Sequence, residues 1–289
     1  MSGMETGNGL AGRLAARLDP LLEAAPGRVA LVVEGLHRGR LYAREAERPF
    51  YPASVIKLAV MVEAFAQAAE GRVDLEEELP VRAADMVTGS GVLQYLLPGR
   101  RYPLVDLVTL MMIVSDNTAT NVLIDRLGAE AISARMRALG LPGIAVRQKL
   151  QVVPVPPGPR NEMTAGETAR LLRLIGLGRV VSYDACRRMV AILEAQQLDL
   201  DLAARLPDPD PEEVGQAPRW RWAHKTGWVR GRLHDAGLLY LPNGVWAVAA
   251  FTEGFAHPEE ARAVLAAAGE LLYRELLEAG DAPGEERDG

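Results

Sequence analysis

The stretch Ala53–Ala69, ASVIKLAVMVEAFAQAA, constrains the fold more than any other part of the chain. Its composition is helical, yet Val55, Ile56, Leu58, Val60, Met61, Val62 and Phe65 leave almost no polar stripe along a 3.6-residue period. A helix apolar on nearly every side is a buried helix, so the remaining elements have to enclose it. The chain is long enough to do so. With 289 residues, 49% hydrophobic and 24% charged, it can build one large core or two entwined ones.

Strand signals stand at both ends of the chain and helical signals between them. Leu10–Ala25 reads as a helix, followed by the β-branched strand Arg28–Glu34, a turn at Gly35–Gly39 and a hairpin partner at Arg40–Arg44. Leu104–Val114, introduced by Pro103, and Asn117–Leu127, closed by Gly128, read as helices. A Pro/Gly-rich connection, Pro142–Arg160, leads to two more helices at Thr164–Ile175 and Tyr183–Glu194. Pro207–Pro218 reads as an exposed loop. Strands Arg232–Leu241 and Val245–Thr252 flank the hairpin signal Pro242-Asn243-Gly244, and Pro258–Leu277 is a long amphipathic helix. Terminal strands separated by helices pack most simply as one antiparallel sheet covered by the terminal helices, with an all-helical insertion. The expected division is an α/β domain of residues 10–48 and 219–280 and a helical domain of residues 49–218.

Lys57 is the anomaly in the apolar helix. A buried ammonium must be paired or give up its charge. Ser54, three residues earlier, lies on the same helical face at the first turn. A hydroxyl there, beside an amine able to take its proton, has the makings of an activated nucleophile, and its backbone N–H can face a developing oxyanion. S-x-x-K alone is equally compatible with a capping serine and a lysine that snorkels to water.

Two further triplets sharpen the pattern. Ser115-Asp116-Asn117 falls between two helices, where Asp116 also suits an N-cap. Lys225-Thr226-Gly227 enters a strand, where a simple strand-start turn would serve as well. The chain has only six serines, five asparagines and three lysines, so all three motifs in this order form a specific signal.

On these motifs, and on Tyr51-Pro-Ala-Ser54-Val-Ile-Lys57 and Lys225-Thr-Gly-Trp-Val-Arg-Gly-Arg-Leu-His-Asp235, the sequence resembles the class A β-lactamases and, more distantly, the penicillin-binding transpeptidases. The resemblance implies an α/β sandwich, a five-stranded antiparallel sheet flanked by terminal helices, joined to an all-helical domain with the active site in the cleft. It implies acylation of Ser54, with Lys57 as base or proton relay and Ser115 passing a proton to the leaving nitrogen. Asn117 would bind the substrate amide. Lys225 and Thr226, in the Lys225-Thr226-Gly227 strand, would hold its carboxylate, and the N–H groups of Ser54 and Trp228 would form the oxyanion hole. Arg230 or Arg232 would assist with the carboxylate, Arg232 being the one assigned.

One part of the family pattern is missing. Class A β-lactamases carry a glutamate, on a loop after Ser-Asp-Asn, that activates the deacylating water. No Asp or Glu occurs from Ala131 to Asn161, and the loop reads Val146-Arg-Gln-Lys-Leu-Gln-Val-Val-Pro-Val155. Glu162 and Glu167 fall beside the next helix, where an N-terminal dipole role is expected, and Lys149 is expected to be solvated. The expected function is therefore a β-lactamase-like serine hydrolase that forms an acyl-enzyme and releases it slowly. The alternatives are a D-Ala-D-Ala carboxypeptidase or esterase, and a non-turning-over sensor of β-lactams or peptidoglycan fragments.

The remaining composition narrows partners. A net charge of −6 offers no basic footprint for nucleic acid, and no segment has the apolar length of a membrane span. The single cysteine, Cys186, allows no intrachain disulfide and is expected to be buried. His37, His224, His234 and His257 show no metal-ligand spacing, so no metal and no cofactor is expected. The expected partner is a small-molecule substrate (β-lactam, ester or peptidoglycan fragment) acting on a monomer. The protein is expected to be cytoplasmic if the N-terminus is native and exported if a signal was removed.

Overall fold

The structure is a computed structural model, and it describes residues 9–150, 158–198 and 201–279. In chain order the helices are α1 (Leu10–Glu23), α2 (Lys57–Ala69), α3 (Leu104–Ile113), α4 (Asn117–Leu127), α5 (Ala129–Ala138), α6 (Ala165–Gly176), α7 (Tyr183–Glu194) and α8 (Pro258–Ala279). The strands are β1 (Arg28–Gly35), β2 (Gly39–Arg44), β3 (Pro49–Phe50), β4 (Glu78–Pro80), β5 (Arg101–Pro103), β6 (Met163–Thr164), β7 (Arg221–Val229), β8 (Arg232–Leu241) and β9 (Gly244–Glu253).

Five strands form one sheet in the order β2-β1-β9-β8-β7, antiparallel throughout. Strand β1 returns beside β9, so the two ends of the chain close one sheet. Both faces are covered, and the two-residue alternation of a strand divides the side chains between two cores. Ala30, Val32, Ala236, Leu238, Ala249 and Phe251 face the helices of the middle of the chain. Leu31, Val33, Leu239, Trp246, Val248 and Ala250 face α1 and α8. Helix α2 lies in the first core with every residue from Lys57 to Gln67 buried, as its apolar circumference requires. Cys186 is buried in α7, and none of the helices described is long and apolar enough to cross a membrane.

Three expectations need correction. The helix expected from Ala53 begins as a 3₁₀ turn, Ala53–Ile56, and becomes α-helical only at Lys57. Ala53 itself has φ +47°, a left-handed conformation that cannot belong to a regular helix. Gly128 closes α4 but does not end the helical region: at φ +88° and ψ 121° it redirects the chain straight into α5, which the sequence reading left unassigned. Lys225 does not open a strand, because β7 has already begun at Arg221. Part of the loop without carboxylates, Gln151–Pro157, lies outside the described residues.

Candidate active site

Of residues 52–67, Ser54 alone is not buried. In a 3₁₀ turn, side chains three apart eclipse one another, so Ser54 stands above Lys57. The close fit of strand β7 holds this turn in place. A Cβ on Gly227 would lie 3.0 Å from the Ser54 nitrogen and 3.0 Å from the Pro52 carbonyl oxygen, so any larger residue would have to push this turn aside by a few tenths of an ångström. Trp228, the next residue, is 62% exposed at this rim.

Lys57 has no solvent exposure. Its Nζ lies 2.7 Å from the Ser115 carbonyl oxygen, 2.9 Å from Ser115 Oγ and 2.9 Å from Asn117 Oδ1. Burial drives its pKa well below the ordinary lysine value, repulsion from Lys225 adds to the fall, and Asp116 opposes it. A neutral amine has two hydrogens and one lone pair. The Ser115 carbonyl and the Asn117 side-chain oxygen can only accept, so they take the two hydrogens. The Ser115 hydroxyl both donates and accepts, so it can also pass a proton to or from the amine.

Ser115 and Asn117 are placed by a strained turn. Ser115 has φ +54°, and among the described non-glycine residues only Ala53, Ser115 and Glu45 are left-handed. Ser115 bonds the Lys57 amine and Ala53 directly precedes Ser54, and strain of this kind persists only where the surroundings over-determine it. Asp116 supplies much of that determination. Fully buried, it caps α4 by accepting from Ala119 N–H at 2.9 Å, as expected, and also accepts from Val92 and Leu93 N–H at 2.7 and 2.8 Å. The loop around residue 90 is thereby tied down over the turn, and Asn117 completes the tie by donating to the Thr88 carbonyl at 3.2 Å.

Lys225 is also fully buried, so two of the three lysines lie in the interior. It projects from β7 on the same sheet face as Ala223, toward α2, and its Nζ donates to the Thr226 carbonyl at 2.9 Å. Burial brings its pKa down to about 7, opposed by Asp235 on β8. Asp235 accepts from Leu202 N–H at 3.0 Å and Trp222 Nε1–H at 3.3 Å, and lies 2.8 Å from His224 Nδ1. Thr226 is buried opposite Asp235 in the strand register.

Not every sequence candidate is drawn to the site in the same way. Arg232 places its guanidinium 2.6 Å from Glu253 and 6.0 Å from the Tyr51 ring centroid. Its Nη2 is engaged by Glu253, which that contact holds below the usual carboxylate pKa, while its Nε has no hydrogen-bond partner among the described residues. Glu162 pairs with Arg147 at 2.6 Å rather than serving a helix N-terminus. Glu167 does lie in the first turn of α6, but burial, the larger influence, raises its pKa while the backbone at Gly143 and Ile144 counters. Lys149 is not simply solvated, since it pairs with Asp125 at 2.7 Å.

Two contributors went unseen in the sequence. Asn121, one turn beyond Asn117 on α4, accepts from Leu150 N–H and donates to the Leu150 carbonyl, both at 2.8 Å. His234 lies on β8 opposite Gly227 and bonds to the Tyr51 carbonyl at 2.9 Å. The i,i+4 step from Asn117 to Asn121 was visible, but its loop partner was not.

A half-exposed serine over a buried lysine, set between an antiparallel sheet and a helical cluster, defines a serine hydrolase of the β-lactamase-like fold. The model of the beta-lactamase enzyme family matches residues 13–276, and the chain belongs to that family. It is similar to a β-lactamase of known structure from Sphaerobacter thermophilus, with 30% identity, a TM-score of 0.80 and coverage of 93% of this chain and 97% of that one. Beta-lactamase L2 of Stenotrophomonas maltophilia is 27% identical over 267 residues, covering 88% of this chain and 83% of that protein. A leucine-to-glutamate mutant of PBP-A, solved as an acyl-enzyme complex with penicillin G, is 27% identical with a TM-score of 0.77, covering 90% of this chain and 96% of that one.

Proposed function

We propose that the protein attacks β-lactams, or related amides and esters, with the Ser54 hydroxyl, forming an acyl-enzyme that hydrolyses slowly. The observation that carries this reading is the fully buried Lys57 amine beneath half-exposed Ser54, held by the Ser115 and Asn117 oxygens. Neutral Lys57 accepts the Ser54 proton as Oγ bonds to the substrate carbonyl carbon. Ser115 Oγ then relays a proton to the departing nitrogen and is itself reprotonated from Lys57. The N–H groups of Ser54 and Trp228 stabilise the oxyanion, Asn117 receives the substrate amide, and Lys225 with Thr226 receives its carboxylate. Slow release follows from the lack of any carboxylate between Ala131 and Asn161, with Glu162 engaged by Arg147. The acyl-enzyme named for the PBP-A mutant supports the first half of this scheme in a relative.

Intact-mass spectrometry after mixing with a penicillin tests the reading. A single adduct that outlasts the mixing time and maps to Ser54, absent in Ser54→Ala, is the expected result. Rapid loss of drug with no adduct identifies an efficient lactamase. No adduct and no loss of drug removes β-lactams as substrates, and an adduct at another serine overturns the reading entirely.

The charge state of Lys225 yields a pH prediction. A pKa of about 7 means the free protein loses this positive charge as pH rises through neutrality. For carboxylate-bearing β-lactams, the acylation efficiency should fall on the alkaline side with an apparent pKa near 7, shared with Lys57 because the two amines are coupled. A neutral ester should lack that alkaline limb. Lys225→Ala should cost the anionic substrate roughly 10–150-fold, one charge-assisted hydrogen bond, and the ester far less. Equal losses on both substrates would assign Lys225 to the proton relay instead.

A further inference from the structure

His234 takes no part in the proton transfers above, yet it ties the sheet to the turn that presents Ser54. It is fully buried on β8, on the sheet face that carries Lys225 and Gly227, and stands opposite Gly227 in the register. Its Nδ1 lies 3.1 Å from the Thr252 backbone nitrogen. An amide N–H can only donate, so Nδ1 accepts and the ring proton resides on Nε2. Nε2–H then donates to the Tyr51 carbonyl at 2.9 Å. Burial presses the pKa of the ring down to about 4, so this neutral tautomer is kept across the neutral range. The Phe251 ring, 4.7 Å away, packs against the imidazole.

Tyr51 lies two residues before Ala53, whose φ of +47° turns the chain toward the cleft. A left-handed alanine needs to be held by its surroundings. Gly227 makes room for the turn but cannot grip it through a side chain. His234 can, because its donor is aimed by Thr252 and its ring is fixed by packing. We propose that His234 is a positioning residue for the nucleophile, holding the Tyr51 carbonyl so that the kink at Ala53 presents the Ser54 hydroxyl and N–H to the substrate. The proposal rests on the reading of Ser54 as the acylated residue.

The two ring nitrogens can be tested separately. His234→Asn keeps an acceptor near Nδ1 for Thr252 but is too short to reach Tyr51. His234→Gln keeps a donor near Nε2. Stopped-flow acylation by a chromogenic cephalosporin separates binding from the chemical step. The asparagine variant is expected to acylate roughly 10²-fold more slowly, the cost of a displaced nucleophile, with the dissociation constant within about twofold. The glutamine variant should regain most of the rate. In hydrogen exchange, peptides spanning residues 50–56 should exchange faster in the asparagine variant and not in the glutamine variant. If the asparagine variant does not fold, His234→Phe, which keeps the packing on Phe251 and deletes both hydrogen bonds, replaces it. Equal acylation rates in the two variants, or unchanged exchange across 50–56 on losing the Tyr51 bond, overturns the proposal. Failure of the wild type to acylate counts against the proposed function alone, because the exchange measurement still decides whether His234 holds the turn.

Discussion

Replacing Lys57 with methionine should slow acylation of Ser54 by about 10²–10⁴-fold, the usual worth of a positioned general base. Methionine matches lysine in length, is apolar, and adds no desolvation cost in a helix where every residue from 57 to 67 is buried. The fold should therefore survive, and a thermal melt checks this. What is lost is the amine proposed to accept the Ser54 proton, together with its contact to the Ser115 hydroxyl. The pH dependence makes the test specific. In the wild type, protonation of Lys57 removes the base, so acylation efficiency should fall as pH drops below its depressed pKa. Burial and the charge of Lys225 set that depression. In Lys57→Met this acid limb should vanish along with the rate, while binding of the β-lactam changes little. A variant that acylates within about tenfold of wild type, with the acid limb intact, would show that another group accepts the proton.

Much of this site was legible before any coordinates, and the reason is physical. A lysine in an all-apolar helix cannot be solvated there, so Lys57 demanded an explanation from composition alone. Apolar runs and the hairpin signal at Pro242-Asn243-Gly244 carried the sheet equally well, because β1 and β9 are buried on both faces and read as near-continuous apolar runs. What the local pattern could not carry was geometry made by distant neighbours. The left-handed conformation of Ala53 and Ser115 stands among contacts made at a distance in sequence, Gly227 against the turn of Ser54 and the Asp116 carboxylate against Val92 and Leu93, and neither alanine nor serine signals it. The early start of β7 was hidden because Arg221, Trp222 and His224 alternate weakly: Arg221 is exposed, and the burial of Trp222 and His224 is tied to Asp235 on the next strand. The pairing of Arg232 with Glu253 joins β8 to β9 across the sheet, a contact that no local pattern specifies. Asn121 is a similar case: its two hydrogen bonds to Leu150 belong to a loop whose path no local rule specifies.

That loop underlies the last expected result, a burst. Stopped-flow hydrolysis of a chromogenic cephalosporin should release close to one equivalent of product per enzyme and then settle to a slow steady state. Acylation has its base in Lys57, whereas deacylation needs a second base to activate water, and its absence costs on the order of 10²–10⁴-fold in that step. Leu150 is the position at which to restore one. Its backbone is clamped on both sides by Asn121, one helical turn from Asn117, whose side-chain oxygen is itself bonded to Lys57. Its side chain is buried in the core shared with α2 and α4. A carboxylate at this position would be desolvated, which raises its pKa toward the range in which a general base works best at neutral pH. Leu150→Glu should therefore speed the slow phase and shrink the burst, at some cost in melting temperature from the buried charge. Unchanged steady-state turnover in a folded Leu150→Glu would mean that the backbone at 150 aims its side chain away from the acyl group. A wild type that turns over fast and linearly, with no burst, would refute slow deacylation itself and leave neutral Lys57 as the group that activates the water.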